Sequence, residues 1–332
     1  MIWYKNNESD IVISTRIRLA RNLDNVPFPN ALSDKKRVIE DIKSAITNSN
    51  STLSKELDYT DLDATAPAKK EQLASEHLIS PQMLQGNAKG VFISKDKTMS
   101  IMLMEEDHIR LQVIMNGNKL REAYDTASKI DDVMEENLTY AFDEELGYLT
   151  ACPTNAGTGL RASLMMHLPA LTMTKSINRV VNNASSLGIA VRGLYGEGTR
   201  ADGNLYQISN QVTMGISEEQ IIEKLQNIAK QIIEMEEKAR ELLKEKSGAE
   251  LSDKLWRSYG TLKYARKISS GEAMSLLSDV LLGQNMGIIT DKGQICIPEC
   301  MVLISPAFIS NGKELNAEQR DIERAKFLRA NV

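Results

Sequence analysis

The sequence predicts an α+β fold whose sheet bears one polar face, followed by a mostly helical C-terminal region. Three observations predict it: apolar and polar residues alternate with a strand's period in several segments before about residue 215, helical stretches separate those segments, and from Ser217 onward the periodicity is helical. With 332 residues, 42% hydrophobic and 26% charged, the chain has material for two compact domains. The texture places them at 1–235 and 236–332.

The first strand is expected at Ile11-Val12-Ile13-Ser14-Thr15-Arg16-Ile17-Arg18-Leu19, with Ile11, Ile13, Ile17 and Leu19 on one face and Ser14, Arg16 and Arg18 on the other. A helix is expected over 33–47. The stretch 99–115 repeats the strand pattern: Ile109, Leu111 and Val113 share one face, and Glu106, His108, Arg110 and Gln112 the other. A helix over 131–143 and strands near 189–192 and 207–214 follow. Ser217-Glu218-Glu219-Gln220 fits a capping box, and Ile221, Leu225, Ile228, Ile232 and Met235 then recur at helical spacing. Further helical patterns cover 255–266, 271–282 and 317–329.

Composition excludes several classes of function. The net charge of -5 is spread along the chain without a basic stripe, which argues against a nucleic-acid partner. No apolar run is long enough for a signal peptide or a membrane span, so a cytoplasmic protein is expected. Three cysteines (Cys152, Cys296 and Cys300) make no disulfide framework, and with only three histidines no structural zinc site is expected. Cys296 and Cys300, in an apolar segment, read as buried packing.

The chemistry lies in arginines at strand and loop positions. Arg16 and Arg18 start roughly 7 Å apart on one strand face. Arg110 comes from the polar face of another strand. Arg161 follows the loop Cys152-Pro-Thr-Asn-Ala-Gly-Thr-Gly159, whose glycines let backbone approach a ligand, and Arg192 precedes the glycine-rich turn 193–198. These five arginines on one cleft would match the charge of a nucleoside triphosphate, and guanidinium is suited to bidentate phosphate contacts. Neither a P-loop nor the protein-kinase motif set is present, so an arginine cradle is a separate solution to holding phosphates. Glu106 and Glu197 beside it suit a cationic nucleophile: a guanidinium attacks phosphorus only after losing a proton, which one carboxylate can accept while a second holds the group planar. The bland alternative is ordinary Glu–Arg pairing.

These segments resemble the phosphagen kinase superfamily of ATP:guanidino phosphotransferases. The residues that carry the resemblance are Ser14-Thr15-Arg16-Ile17-Arg18, Glu105-Glu106-Asp107-His108-Ile109-Arg110, Cys152 through Arg161-Ala162-Ser163, and Arg192-Gly193 through Glu197, in the same order and with similar separations. The resemblance implies an antiparallel sheet flanked by helices. It implies ATP binding by Ser14, Thr15, Arg16, Ile17, Arg18, His77, Arg110, Arg161, Ala162, Ser163, Met165, Arg192, Gly193 and Gly196. Catalysis would fall to Glu106 as base, Glu197 as second guanidinium clamp and Cys152 against the acceptor guanidinium. Mg2+ would come with the nucleotide, without protein ligands. On their own, His77 and Cys152 read as packing residues.

Two features point to the protein-arginine-kinase branch. The Ser-Thr-Arg strand begins near residue 10, without the helical domain that precedes it in small-molecule phosphagen kinases, and such a site could admit an arginine side chain of another protein. The C-terminal region carries Arg320-Asp321-Ile322-Glu323-Arg324-Ala325, which is similar to a phosphoarginine-sensing motif; alone it reads as ordinary i,i+4 surface pairs. The branch implies substrates with exposed arginines marked for proteolysis in stress response, a zinc-binding activator, an AAA+ protease and a homodimer. A kinase for free arginine or another small guanidine, and a non-catalytic phosphoarginine-binding adaptor, are the alternatives. One departure is Met104, where the family commonly has Asn.

Overall fold

The computed structural model describes residues 2–5, 9–47, 53–193 and 201–332. Eight strands form one antiparallel sheet: β1 (Val12–Arg21), β2 (Leu57–Asp61), β3 (Gly90–Ser94), β4 (Met99–Leu103), β5 (Ile109–Asn116), β8 (Leu160–His167), β9 (Ile189–Gly193) and β10 (Leu205–Asn210). Their order is β2-β3-β4-β5-β1-β8-β10-β9, and a small hairpin, β6 (Phe142–Asp143) with β7 (Gly147–Tyr148), stands apart. The helices are α1 (Lys35–Thr47), α2 (Leu53–Glu56), α3 (Pro67–Ser75), α4 (Leu120–Glu135), α5 (Pro169–Met173), α6 (Ile177–Ser186), α7 (Glu218–Tyr264), α8 (Ser270–Asn285), α9 (Ile297–Leu303), α10 (Pro306–Ser310) and α11 (Ala317–Asn331).

One face of the sheet is covered by α1, α4, α6 and the first half of α7. In α1, Val38, Ile39, Ile42 and Ile46 recur at helical spacing and are buried with Ile17, Leu19, Leu111 and Val113 of the sheet. Each such side chain contributes roughly 1.5–3 kcal/mol by leaving water. Among the described residues the opposite face is covered at its two sides only. Around α3, Leu73, Leu78, Ile79 and Met83 pack on Val91 and Met102. On the other side Trp3, Ile13, Ile114, Met165 and Leu205 pack against the C-terminal helices. The uncovered strip between them carries the arginines.

Several expectations need correction. Ile13 does not share a face with Ile17: the register shifts between Val12 and Ser14, and Ile13 joins the C-terminal cluster. The stretch 99–115 is two strands, because Met104 turns the chain at φ 60°. Glu106 and His108 therefore sit on a turn. His108 is fully buried, taking the Leu23 amide at Nδ1 (3.0 Å) and meeting the Pro27 carbonyl at Nε2 (2.9 Å). The helix expected at 131–143 lies at 120–135; Lys119, preceding it, gives no side-chain cap, and its amide is held by Thr15 Oγ1 at 2.8 Å.

The capping box at Ser217 and Gln220 forms as read. The helix it opens runs to Tyr264 with a break at Ser247 (φ -147°). The expected boundary at 235/236 thus falls inside α7, whose Ala239 still packs in the sheet cluster while Leu251 belongs to the C-terminal one. Cys300 is buried as read, and Cys296 is half-buried, donating to the Tyr4 carbonyl at 3.2 Å.

Candidate active site

Strand register builds the site. Across β5, β1 and β8, Gln112, Arg18 and Arg161 stand in one row; Ile114, Arg16 and Ser163 form the next, and Arg110 lies opposite Ala20. Arg192 of β9 stands opposite Gln207, itself opposite Met165. One face thus gathers Arg16, Arg18, Arg110, Arg161 and Arg192. Mutual repulsion is legible in their acidity. Burial, then Arg16, Arg110 and Arg161, hold Arg18 well below the usual arginine range. Burial, then Arg192 and Arg110, lower Arg161.

Folding four or five like charges into one cleft is unfavourable unless something anionic joins them. Among the described residues the buried Nε atoms of Arg18 and Arg161 have no hydrogen-bond partner, although buried donors are ordinarily paired. Both observations fit the phosphates of ATP. Among the described residues no three His, Cys, Asp or Glu come together as a metal site.

Two cavities share Arg18 and Arg110. The larger, about 330 Å³, is lined by Arg16, His77, Ile79, Pro81 and Gln112 among others. The smaller, about 120 Å³, is lined by Glu106, Cys152, Thr154, Asn155 and Arg161. A third opening of about 320 Å³, between Pro29-Asn30, Gly86-Asn87 and Ala151, reaches Glu106 from the other side.

Glu106 is half-buried and sits where the smaller cavity and this opening meet. Burial, then Asp107, raise its carboxyl above the ordinary value; Arg110 and a hydrogen bond with Cys152 oppose the rise. Asp107 is fixed by Asn22 Nδ2 and the Ala151 amide, each at 2.7 Å, which ties the turn 104–108 to the loop that carries Cys152. Glu105 is the ion-pair partner of Arg110, a role the sequence did not single out. Cys152 Sγ lies 3.0 Å from Thr154 Oγ1.

The Cys152 loop returns to the sheet through Gly159, at φ 63°, where a Cβ would lie 2.6 Å from the Ala20 carbonyl. Arg21 clamps this return: Nη1 donates to Thr158 O at 3.0 Å, while Nη2 pairs with Asp131 at 2.6 Å. The Arg21 guanidinium also lies 3.5 Å from the centre of the Tyr148 ring.

His77, at φ 61°, donates its amide to Ala74 O at 3.0 Å; its carbonyl accepts from Gln112 Nε2 at 2.6 Å and its ring stacks on Trp3. Burial, then Arg16 and Arg18, push its pKa down to about 3, so the ring is neutral near pH 7. Trp3 was not anticipated from the sequence.

The other residues that the resemblance implied for ATP fall partly on the arginine face and partly off it. Thr15, Ile17 and Ala162 have the opposite parity and point into the core; Thr15 Oγ1 is used by Gly117 O and the Lys119 amide. Ser14 and Met165 share the arginine face but are buried toward the C-terminal helices, and Ser163 Oγ donates to Arg16 O at 3.3 Å. Gly193 ends β9 beside Arg192. Glu197 and Gly196 lie outside the described residues.

In the C-terminal region Arg324 is almost fully buried, bonded to Ile304 O (3.1 Å), Ile268 O (3.0 Å) and Asp321 (2.6 Å). Ala325 is also buried. Of the surface pairs read among Arg320, Asp321 and Arg324, Asp321–Arg324 forms, with the arginine buried and Asp321 partly exposed, while Arg320, half-buried, donates to Leu315 O at 2.6 Å.

An arginine-lined sheet face beside a carboxylate whose pKa is raised and a thiol suits an ATP:guanidino phosphotransferase. Residues 37–239 match the ATP:guanido phosphotransferase C-terminal catalytic domain, and residues 248–332 match the protein-arginine kinase McsB C-terminal domain. The chain is 47% identical to a protein-arginine kinase of Halothermothrix orenii, covering 98% of this chain and 94% of that one. It is 48% identical to one of Clostridium kluyveri, with 98% and 96% covered. Among solved structures, lombricine kinase superposes with a TM-score of 0.61 at 26% identity, covering 71% of this chain and 69% of that one. The chain belongs to the protein-arginine kinases of the McsB type, within the ATP:guanido phosphotransferase family. It uses ATP and acts on arginine side chains of proteins. Among the described residues no helix is long and apolar enough to cross a membrane.

Proposed function

We propose that Arg16, Arg18, Arg110, Arg161 and Arg192 hold the phosphates of MgATP, with His77 against the nucleoside part and Glu106 as the base that deprotonates the acceptor arginine. The observation that carries this reading is the cluster of mutually repelling guanidiniums beside Glu106, with the Nε atoms of Arg18 and Arg161 buried and unpartnered among the described residues. The reaction forms an N–P bond on the acceptor and breaks the terminal P–O bond of ATP. The chain's part is to align the two and to neutralise the charge that develops between them. Glu106 takes the guanidinium proton, and its raised pKa brings it closer to neutral pH, where a general base is more effective. Cys152, linked to Glu106, lies against the acceptor. Mg2+ rides on the phosphates and water.

The finer readings rest on family likeness and on the C-terminal region. Arg320 and Asp321 form the accessible part of a phosphoarginine-binding site, with Arg324 and Ala325 as its buried support. The domain boundary lies in 240–247, between the two matched regions and before the break at Ser247. A cytoplasmic homodimer, a zinc-binding activator and an AAA+ protease that receives the marked substrates complete the proposal.

Glu106→Gln tests the catalytic assignment. Transfer should fall roughly 10²–10⁴-fold with ATP binding nearly intact; a variant that keeps transfer, or loses ATP binding while folded, contradicts the role as base.

A further inference from the structure

We infer that the 320 Å³ opening on the outer side of Glu106 is where the substrate polypeptide flanking the acceptor arginine lies, and that Lys35 and Lys89 at its walls select acidic residues beside that arginine. The inference deepens the proposed function and rests on Glu106 as the catalytic base.

Glu106 lines both this opening and the smaller arginine-walled cavity, and the neighbours Ala151 and Cys152 divide in the same way, one to each. A side chain that places its guanidinium at Glu106 and Cys152 while phosphates occupy the arginine side must bring its backbone through the remaining space. Pro29, Asn30, Gly86 and Asn87 wall that space from two separate loops. The cleft is polar, as suits an exposed chain segment more than an apolar anchor.

Charge then sets what the segment carries. Glu105 reaches this wall with its side chain buried and paired to Arg110, and it opposes the lowering of Lys89 without cancelling it. Lys35 and Lys89 are both half-exposed, and Lys89 donates to the Gln82 carbonyl, which holds its stem in place. Burial is the first cause that lowers the Lys89 ammonium, and Lys35 and Lys70 lower it further against Glu105 and Asp63. A carboxylate placed between Lys35 and Lys89 relieves that repulsion. An acceptor arginine with an Asp or Glu neighbour thus presents its cation to Glu106 and its anion to the lysines, whereas a Lys or Arg neighbour meets like charge.

The test uses the full chain with MgATP and a pool of peptides that share one arginine and differ only in flanking Asp, Ser or Lys. Site occupancy is read by mass spectrometry without acid. Wild type should favour the Asp-flanked over the Lys-flanked peptides by roughly five- to ten-fold, the size of two partly exposed ion pairs. The double variant Lys35→Glu, Lys89→Glu should invert the order, and Lys244→Glu, an exposed lysine on α7, should leave it unchanged. Equal phosphorylation of all peptides by wild type, or an unchanged order in the double variant, overturns the inference and leaves the kinase assignment standing. Phosphorylation of none overturns the reading on which it rests.

Discussion

Trp3 lies flat against His77, with ring centroids 5.0 Å apart and planes 13° from parallel. Trp3 is held at two points: the indole Nε1 donates to Glu76 O at 2.8 Å, and the backbone carbonyl accepts from Asn116 Nδ2 at 2.7 Å. It belongs to one apolar cluster with Met274, Met301 and Val302 of the C-terminal helices. One side chain therefore joins the helical region to the histidine that lines the cavity of about 330 Å³ beside Arg16 and Arg18.

Removing that join should weaken nucleotide binding more than chemistry. An aromatic stack contributes about 0.5–1.5 kcal/mol beyond its buried area, so Trp3→Ala should raise KM for ATP about two- to ten-fold with little change in kcat. Trp3→Phe should restore most of it. A steady-state ATP titration with a thermal melt beside it decides: kcat falling in proportion to folded protein, with KM unchanged, would make Trp3 purely structural.

The acid limb of the pH–rate profile should report Glu106. Its pKa is raised, so the base is protonated, and activity lost, at a pH above the ordinary carboxylate value of 4.5. Asp107 is the second cause of the rise after burial. Asp107→Asn should move the limb to lower pH without returning it fully, because burial remains. A limb that stays in place in a folded Asp107→Asn enzyme would mean that another group governs it.

The two arginines of the C-terminal motif should behave differently. Arg324→Ala strands the Ile304 and Ile268 carbonyls and should cost roughly 3 kcal/mol of stability, read as a lower unfolding midpoint. Arg320→Ala should leave the midpoint within about 0.5 kcal/mol and weaken binding of free phosphoarginine. Unchanged binding in Arg320→Ala would remove the sensing role.

How much of this was legible in the sequence varied with the range of the interactions. Arg16 and Arg18 were readable because strand parity is a local property, and pairing with β5 and β8 then delivers Arg110 and Arg161 to the same face. Parity failed at Glu106, since it assumes an unbroken strand and Met104 adopts φ 60°. Asn tolerates that conformation better than Met, a physical reason for the family's usual Asn; here Met104 is instead held by burial in the core. Ile13 failed for the same kind of reason, a one-residue irregularity that swaps faces. Trp3 could not be connected to His77 across 74 positions by any local signal. In the Arg320 motif, helical spacing said which residues share a face but not that Arg324 turns inward to two carbonyls.

The measurement that bears most directly on the central claim is incubation of the chain with MgATP and an arginine-rich protein, in parallel with free arginine, followed by mass spectrometry under non-acidic conditions that preserve the P–N bond. Phosphate on protein arginines, with little on the free amino acid, is the predicted result. Phosphate on free arginine alone would contradict it.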